Sequence, residues 1–227
     1  MYWLVMPAAG KGERMGEGAT PKQYLPLAGR AVIERSLAPF LADSRCRGAV
    51  VALAAGDRDF ARLPVAAHPR IRTVTGGAAR ADSVRAGLAA VAAAATGEDP
   101  WVLVHDAARP CLARADLEAL LAALPGAPDG ALLGVPVTDT VKCADAHGRV
   151  LATVTREGLW RAATPQAFRL RRLIAALEAS PAATDEASAI EASGGHPQLV
   201  AGSALNLKLT RPGDLALAAR ILEGEPA

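Results

Sequence analysis

The 227-residue chain has little cysteine, little lysine, few aromatic residues and no charge excess. Its three cysteines, Cys46, Cys111 and Cys143, are odd in number and scattered. That spacing excludes a disulfide scaffold and a Cys-x-x-Cys metal or redox site, and makes a reduced, cytoplasmic compartment the default expectation. Aromatics are 4% of the chain and the net charge is +2, with no concentrated basic run, so coating nucleic acid is an unsuitable role. No stretch of about 18 apolar residues escapes a charge or a breaker, so no membrane span is expected. The apolar start, Met1 to Pro7, is short for a signal peptide and has no basic lead.

Hydrophobic residues make up 51% of the chain and alanine about a quarter, enough for a helix-rich core in one domain over 1–227. Only four of the 25 basic residues are lysines: Lys11, Lys22, Lys142 and Lys208. Base composition of the gene explains most of that bias. The four survivors are still where chemistry that needs a compact point charge would sit.

Strand-like apolar runs at 2–6, 48–54, 71–75, 101–105 and about 130–135 alternate with helical patterns at 31–42, 57–62 (weak), 80–95 and 114–124. This alternation predicts an α/β fold: a mostly parallel, doubly wound, Rossmann-like sheet with helices on both faces. Ligands of such sheets sit beyond the carboxyl ends of the strands, where the polar loops 8–23, 76–83 and 105–110 would converge. The alternation breaks at 136–165, which reads as a hairpin leaving the main sheet around the turn Asp145–Gly148, a protruding β-arm. Helices at 169–178 and 184–193, a strand pair at about 197–210 and a helix at 212–223 complete the reading.

Three loops carry the chemistry. Gly10, Gly12 and Gly16 allow close approach of backbone amides to anionic oxygens, and Arg14 and Lys22 add two cations able to stabilise charge at a phosphorus centre. Their spacing fits neither a dinucleotide-binding fingerprint nor a P-loop, and a solvated basic loop is the plain alternative. Gly76 and Gly77 precede a helix start that carries Arg80 and Ser83. Capping by Asp82 or Ser83 accounts for only part of that group. Asp106 follows a buried strand and could hold Mg²⁺ or a substrate hydroxyl, and Arg109 could bind an anion, unless the two simply pair. His105 reads as packed, since His68, His147 and His196 offer no ligand spacing to it. Thr184-Asp-Glu reads as a helix cap with acids in the first turn, and Lys208 as the exposed face of an alternating strand.

Assembled in order, these segments resemble one family closely. The carriers are Pro7-Ala-Ala-Gly-Lys-Gly-Glu-Arg-Met15, Pro21-Lys-Gln-Tyr24, Gly76-Gly-x-x-Arg-x-Asp-Ser-Val84 and Val104-His-Asp-Ala-Ala-Arg-Pro110. With them go Pro136-Val-x-Asp-Thr140, Leu159-Trp-x-x-x-Thr-Pro-Gln166, Thr184-Asp-Glu-Ala187 and Asn206-x-Lys-x-Thr210. Together they are similar to the 2-C-methyl-D-erythritol 4-phosphate cytidylyltransferases, with one departure: the Met15–Pro21 segment is a residue longer. The resemblance implies cytidylyl transfer from CTP to methylerythritol phosphate in non-mevalonate isoprenoid synthesis, with Mg²⁺ on the triphosphate. It implies Arg14, Lys22, Arg156 and Lys208 as catalytic cations. It places CTP against Pro7, Ala8, Ala9, Gly10, Gly12, Gly77, Ala78, Arg80, Ser83 and Asp106. It places the acceptor near Asp106, Arg109, Thr140, Thr164 and Thr184. The arm at 136–156 would interlock a homodimer and pass Thr140 and Arg156 into the neighbour's site.

Three rivals share features with the chain. A pentitol-phosphate cytidylyltransferase has similar Pro-Lys-Gln and Thr-Pro-Gln motifs. An NAD-binding oxidoreductase would share the layered fold but not the glycine spacing. A non-catalytic nucleotide-binding subunit would have no need of both Arg14 and Lys22.

Overall fold

The computed structural model describes residues 1–10 and 20–224. Strand β1 (Tyr2–Ala8) is the spine of the fold, with β4 (Cys46–Leu53) and β6 (Trp101–Val104) as parallel neighbours on either side. Between β1 and β4 lie a small ribbon, β2 (Pro26–Leu27) with β3 (Arg30–Ala31), and helix α1 (Val32–Leu41). Strand β5 (Ile71–Thr75) pairs with β4, and α2 (Arg80–Ala95) crosses back to β6. Helix α3 (Arg114–Ala123) leads to β7 (Ala131–Pro136). After a separate hairpin of β8 (Val141–Ala144) and β9 (Val150–Val154), β10 (Trp160–Arg169) re-enters the sheet between β6 and β7. Helices α4 (Leu170–Ala179) and α5 (Glu186–Ala192), edge strand β11 (Gln198–Ala201) and α6 (Gly213–Gly224) follow. The seven-stranded order is β11-β7-β10-β6-β1-β4-β5, parallel except for β10.

Alternation along β1 distributes its side chains to two cores. Tyr2, Leu4 and Met6 pack with Ile33, Leu37 and Phe40 of α1 and Leu117 and Leu120 of α3. Trp3 and Val5 pack with Val84, Leu88 and Val91 of α2 and Leu170, Leu173 and Leu177 of α4. A strand buried on both faces must read as a continuous apolar run, and β1 does. Helix α2 approaches so closely that a Cβ on Gly87 would lie 2.5 Å from Val5 Cγ1.

Four expectations need correction. The weak helix at 57–62 is instead a pair of 3-10 turns, Phe60–Arg62 and Pro64–Ala67. The excursion at 136–165 is shorter than read, because residues 160–169 form a central strand. Pro165 masks it: a proline speaks against an interior strand, and the pairing with β7 shifts register between Ala162 and Gln166 to accommodate it. Only 198–201 of the 197–210 pair is a strand, since 206–210 crosses the site as irregular chain. The helix expected at 184–193 begins at Glu186, with Asp185 as N-cap.

The β8–β9 hairpin forms its own two-stranded sheet, turning at Asp145–Gly148 as expected. Asp145 accepts the backbone N–H groups of His147 and Arg149 through Oδ1 and binds Arg149 Nε through Oδ2. All of β9 is exposed, including Val150 and Leu151.

Candidate active site

The loops following β1, β5 and β6 meet at one cleft of about 220 Å³. Pro7, Ala8, Ala9 and Gly10 form one wall, with Lys22 and Gln23 beside them. Ala78, Ala79, Arg80 and Ser83 come from the start of α2, Asp106, Ala107 and Ala108 from the end of β6, and Lys208 from the crossing segment. The convergence expected of a parallel sheet is therefore present. Gly12 and Arg14 lie outside the described residues, as do Lys11 and Gly16.

The wall at 8–10 is held from beneath. Buried Gln23 donates to the carbonyls of Ala8 and Gly10 at 2.9 and 3.2 Å. Lys22 Nζ donates to Leu209 O at 3.0 Å, and Leu209 N donates to Ala108 O, so the crossing segment is tied to two walls of the cleft.

At the start of α2, the first-turn acid Asp82 accepts the Ala79 N–H, and Ser83 Oγ accepts the Gly77 N–H. A Cβ on Gly76 would come within 2.6 Å of Ser83 Oγ, and one on Gly77 within 2.3 Å of the Asp82 Cβ. Tight packing against the helix start explains both glycines. Ala78 and Ala79, next in line, line the cleft, whereas Gly77 is exposed but does not.

Asp106 is the electrostatic centre. Arg80 Nε lies 2.9 Å from Oδ1; Lys208 Nζ is 2.8 Å and Arg109 Nε 3.7 Å from Oδ2. Burial would push the carboxyl up, but Arg80, Lys208 and Arg109 hold it well below the usual carboxylate range. Arg80 also grips Glu186 with both terminal nitrogens, at 2.7 and 3.1 Å. Burial works against the Arg80 charge, but Glu186 and then Asp106 outweigh it and raise its pKa. Lys208, an exposed lysine by its strand pattern alone but a catalytic cation by the family resemblance, lines the cleft and pairs with Asp106. Glu186 was masked by the capping reading of 184–186; its partner is 106 residues away and no local pattern reveals it.

Behind Asp106, His105 is buried against Phe40, ring centroids 5.1 Å apart. Its Nε2 meets Arg109 O at 3.1 Å and its Nδ1 meets Thr164 Oγ1 at 3.0 Å. A carbonyl only accepts, so the proton sits on Nε2 and Nδ1 takes the threonine hydroxyl. Burial lowers the imidazole pKa to about 4, so it is neutral near pH 7 and packed, as the sequence suggested. Thr164 Oγ1 also accepts the Asp106 N–H at 3.1 Å, and Asn206 Nδ2 donates to Thr164 O. Arg109 donates to Asn206 O at 2.7 Å, and burial lowers its pKa.

Arg109, Thr164 and Thr184 do not line this cleft, nor do Thr140 and Arg156. Thr164 is buried; Thr184 is exposed ahead of α5, its hydroxyl 3.4 Å from Ser188 Oγ. Thr140 and Arg156 are exposed at the base of the β8–β9 hairpin, where Arg156 reaches Thr138 O.

The donor set does not fit a metal cage built by the protein. Asp106 uses both oxygens on cations, Glu186 uses both on Arg80, and no group of three His, Cys, Asp or Glu that could hold a metal occurs among the described residues. The cleft offers cations and backbone amides, which suit a polyanion that brings its own counterion.

Comparison with known proteins agrees with this chemistry. A family model described as 2-C-methyl-D-erythritol 4-phosphate cytidylyltransferase (IspD) matches residues 2–224. Proteins carrying that name from Ectopseudomonas mendocina and Halorhodospira halophila are 56% and 53% identical to this chain. The alignments cover 95% and 100% of this chain and 93% and 96% of theirs. A crystal structure of a 4-diphosphocytidyl-2C-methyl-D-erythritol synthase superposes with a TM-score of 0.85 at 37% identity, covering 97% of this chain and 98% of the other.

Proposed function

Because the chain belongs to the 2-C-methyl-D-erythritol 4-phosphate cytidylyltransferase family, we propose a division of labour among its residues. The reaction transfers a cytidylyl group from CTP to 2-C-methyl-D-erythritol 4-phosphate. It gives 4-diphosphocytidyl-2-C-methyl-D-erythritol and pyrophosphate, a step of isoprenoid precursor synthesis. An oxygen of the acceptor phosphate attacks the α-phosphorus of CTP, and the bond to the β-phosphate oxygen breaks. That phosphate oxygen is already deprotonated at neutral pH, so no general base is required. The buried, neutral His105 is consistent with this.

The barrier is repulsion between anions, and positioned cations lower it. In this reading Arg14 and Lys22 meet the triphosphate and the charge that builds in the transition state. Ala8, Ala9, Gly10, Gly12, Ala78 and Ser83 hold the cytidine, mostly through backbone, with Pro7 and Gly77 shaping the walls. Lys208 and Arg109 attract the acceptor phosphate, while Asp106, oriented by Arg80, accepts a hydroxyl of the acceptor. Thr164 supports Asp106 by accepting the Asp106 N–H, and Thr184 meets the acceptor from just ahead of α5. The cleft's cations and backbone amides would receive CTP as its Mg²⁺ complex, in which the ion would supply neutralisation of the triphosphate charge.

The β8–β9 hairpin is the dimerisation arm in this proposal. A bare two-stranded hairpin is marginal in water, and its exposed Val150 and Leu151 call for a covering surface. A two-fold partner supplies one, and Thr140 and Arg156 at its base would then complete the partner's acceptor site. Cytoplasmic operation is part of this proposal, supported by three scattered cysteines that form no disulfide; no described helix is long and apolar enough to cross a membrane.

The observation that carries the reading is the convergence of the 7–10 backbone, Lys22, Arg80, Asp106 and Lys208 on one cleft. Pyrophosphate release from CTP, with methylerythritol phosphate present or omitted, tests it. Release only in its presence is expected. Equal release with a pentitol phosphate would instead favour the related transferase.

A further inference from the structure

Glu186 is 1% exposed, does not line the cleft, and spends both oxygens on Arg80. A favourable helix dipole does not explain it: an acid in the first turn can act from the surface, and α5 is only seven residues long. Nor does stability, since a buried ion pair commonly does no better than well-packed apolar side chains of the same volume. What the pair does supply is geometry. Arg80 uses its three nitrogens on two carboxylates, Nε on Asp106 and the terminal pair on Glu186. Fixing Arg80 fixes Asp106 Oδ1, which leaves Oδ2 to Lys208.

Glu186 is itself fixed from the sheet. Gln166 of β10 accepts the Ala187 N–H at 2.9 Å and donates to Asp185 Oδ2 at 2.8 Å, while Asp185 caps α5 by accepting the Ser188 N–H. The first turn of α5 is thus anchored on both sides of Glu186. Thr184 lies two residues before it, and Arg80 opens the helix that borders the CTP cleft.

We propose that Glu186 is a positioning residue for the transfer, holding Arg80 against Asp106 and tying the acceptor-side start of α5 to the nucleotide cleft. This rests on the role given above to Asp106. Misalignment of two bound reactants slows the chemical step more than it weakens either binding event. The loss should therefore fall on kcat.

The test is steady-state pyrophosphate release with each substrate varied, per folded enzyme, for Glu186→Gln, Arg80→Ala and the double variant. Glu186→Gln should lose at least tenfold in kcat with both KM values within threefold of wild type. On the Arg80→Ala background the same change should cost less than a further twofold, because groups acting as a unit are not additive. A kcat within threefold of wild type, or an equal loss on both backgrounds, overturns the proposal. A purely structural role would lower the Tm and leave kcat per folded enzyme unchanged. Should Glu186→Gln not fold, Glu186→Asp keeps the charge one methylene short: at least a threefold loss of kcat is expected, and wild-type turnover overturns the proposal. Asp106→Asn, assayed alongside, separates the two levels. Wild-type turnover in it removes the role of Asp106 itself. A crippled Asp106→Asn beside an unimpaired Glu186→Gln removes only the role of Glu186.

Discussion

Thr164 Oγ1 accepts the Asp106 N–H and donates to His105 Nδ1, at 3.1 and 3.0 Å. One hydroxyl therefore joins the acid at the centre of the cleft to an imidazole that never reaches it. The other imidazole nitrogen closes on Arg109 O, and Arg109 N donates to Asp106 O. The 106–109 turn is clamped at both ends from beneath, so Asp106 and its neighbours are positioned before any substrate arrives.

His105 should make the protein acid-sensitive. Its folded pKa, about 4, lies below the unfolded value of about 6.5. Its contribution is fully present above about pH 6.5 and is lost as pH falls toward 4, because only the unfolded chain takes up the proton across that window. The loss approaches about 3 kcal/mol near pH 4. Urea unfolding of wild type and His105→Gln at pH 7, 5.5 and 4.5 checks this. The wild type should lose stability more steeply than the variant, and parallel curves would show that His105 titrates alike folded and unfolded.

Asp106→Asn should be damaging in a second way. Arg80, Lys208 and Arg109 would then face one another with Glu186 as the remaining acid. We expect a loss of about 3 kcal/mol, at the low end for a broken buried pair because 35% of the Lys208 side chain stays in water. In the wild type this contribution is present above the unfolded carboxyl pKa of about 3.9 and is lost only in stronger acid, since the folded value is depressed. Thermal unfolding at pH 7 decides it, and a variant as stable as wild type would mean that the Asp106 charge does not hold these cations together.

The central strands were legible because burial on both faces forces continuous apolar runs, as at Tyr2–Met6 and Trp101–Val104. Strand β10 was not, because Thr164-Pro165 breaks the pattern that pairing with β6 and β7 restores. The cleft residues Ser83 and Asp106 stood out by their places at a helix start and after a strand, whereas Ala8 entered only through the family resemblance. Gln23 and Glu186 did not: their work consists of contacts with Ala8, Gly10 and Arg80 that exist only once the chain has folded. Gly76 and Gly77 were noticed for a ligand's sake, yet it is Ser83 and Asp82 that leave them no room for a side chain.

Lys22→Ala and Arg14→Ala should each cut turnover by about 10²–10³-fold while CTP still binds, the usual cost of losing one donor that stabilises developing charge. For Lys22 the structural motive is its place on the cleft wall, where Nζ is held by Leu209 O. Steady-state kinetics together with a CTP thermal shift measures both effects. Turnover within threefold of wild type in either variant would remove that residue from the transition state.

The arm allows a test that no single-subunit reading can pass. If Arg156 serves the partner's site, Arg14→Ala and Arg156→Ala homodimers are both inactive, each for a different reason. In a mixed dimer, the site on the Arg14→Ala subunit lacks its own Arg14 and receives the arm that lacks Arg156. The other site keeps its own Arg14 and receives an intact Arg156. Up to half of wild-type activity per mixed dimer should return, whereas an arm serving its own subunit leaves one defect in every site and no recovery. Co-expression with two different tags isolates the mixed species, and pyrophosphate release reads the result. A purified heterodimer as inactive as its parents would show that Arg156 acts within its own chain. The exposed β9 surface would then have to be covered by something other than a shared active site.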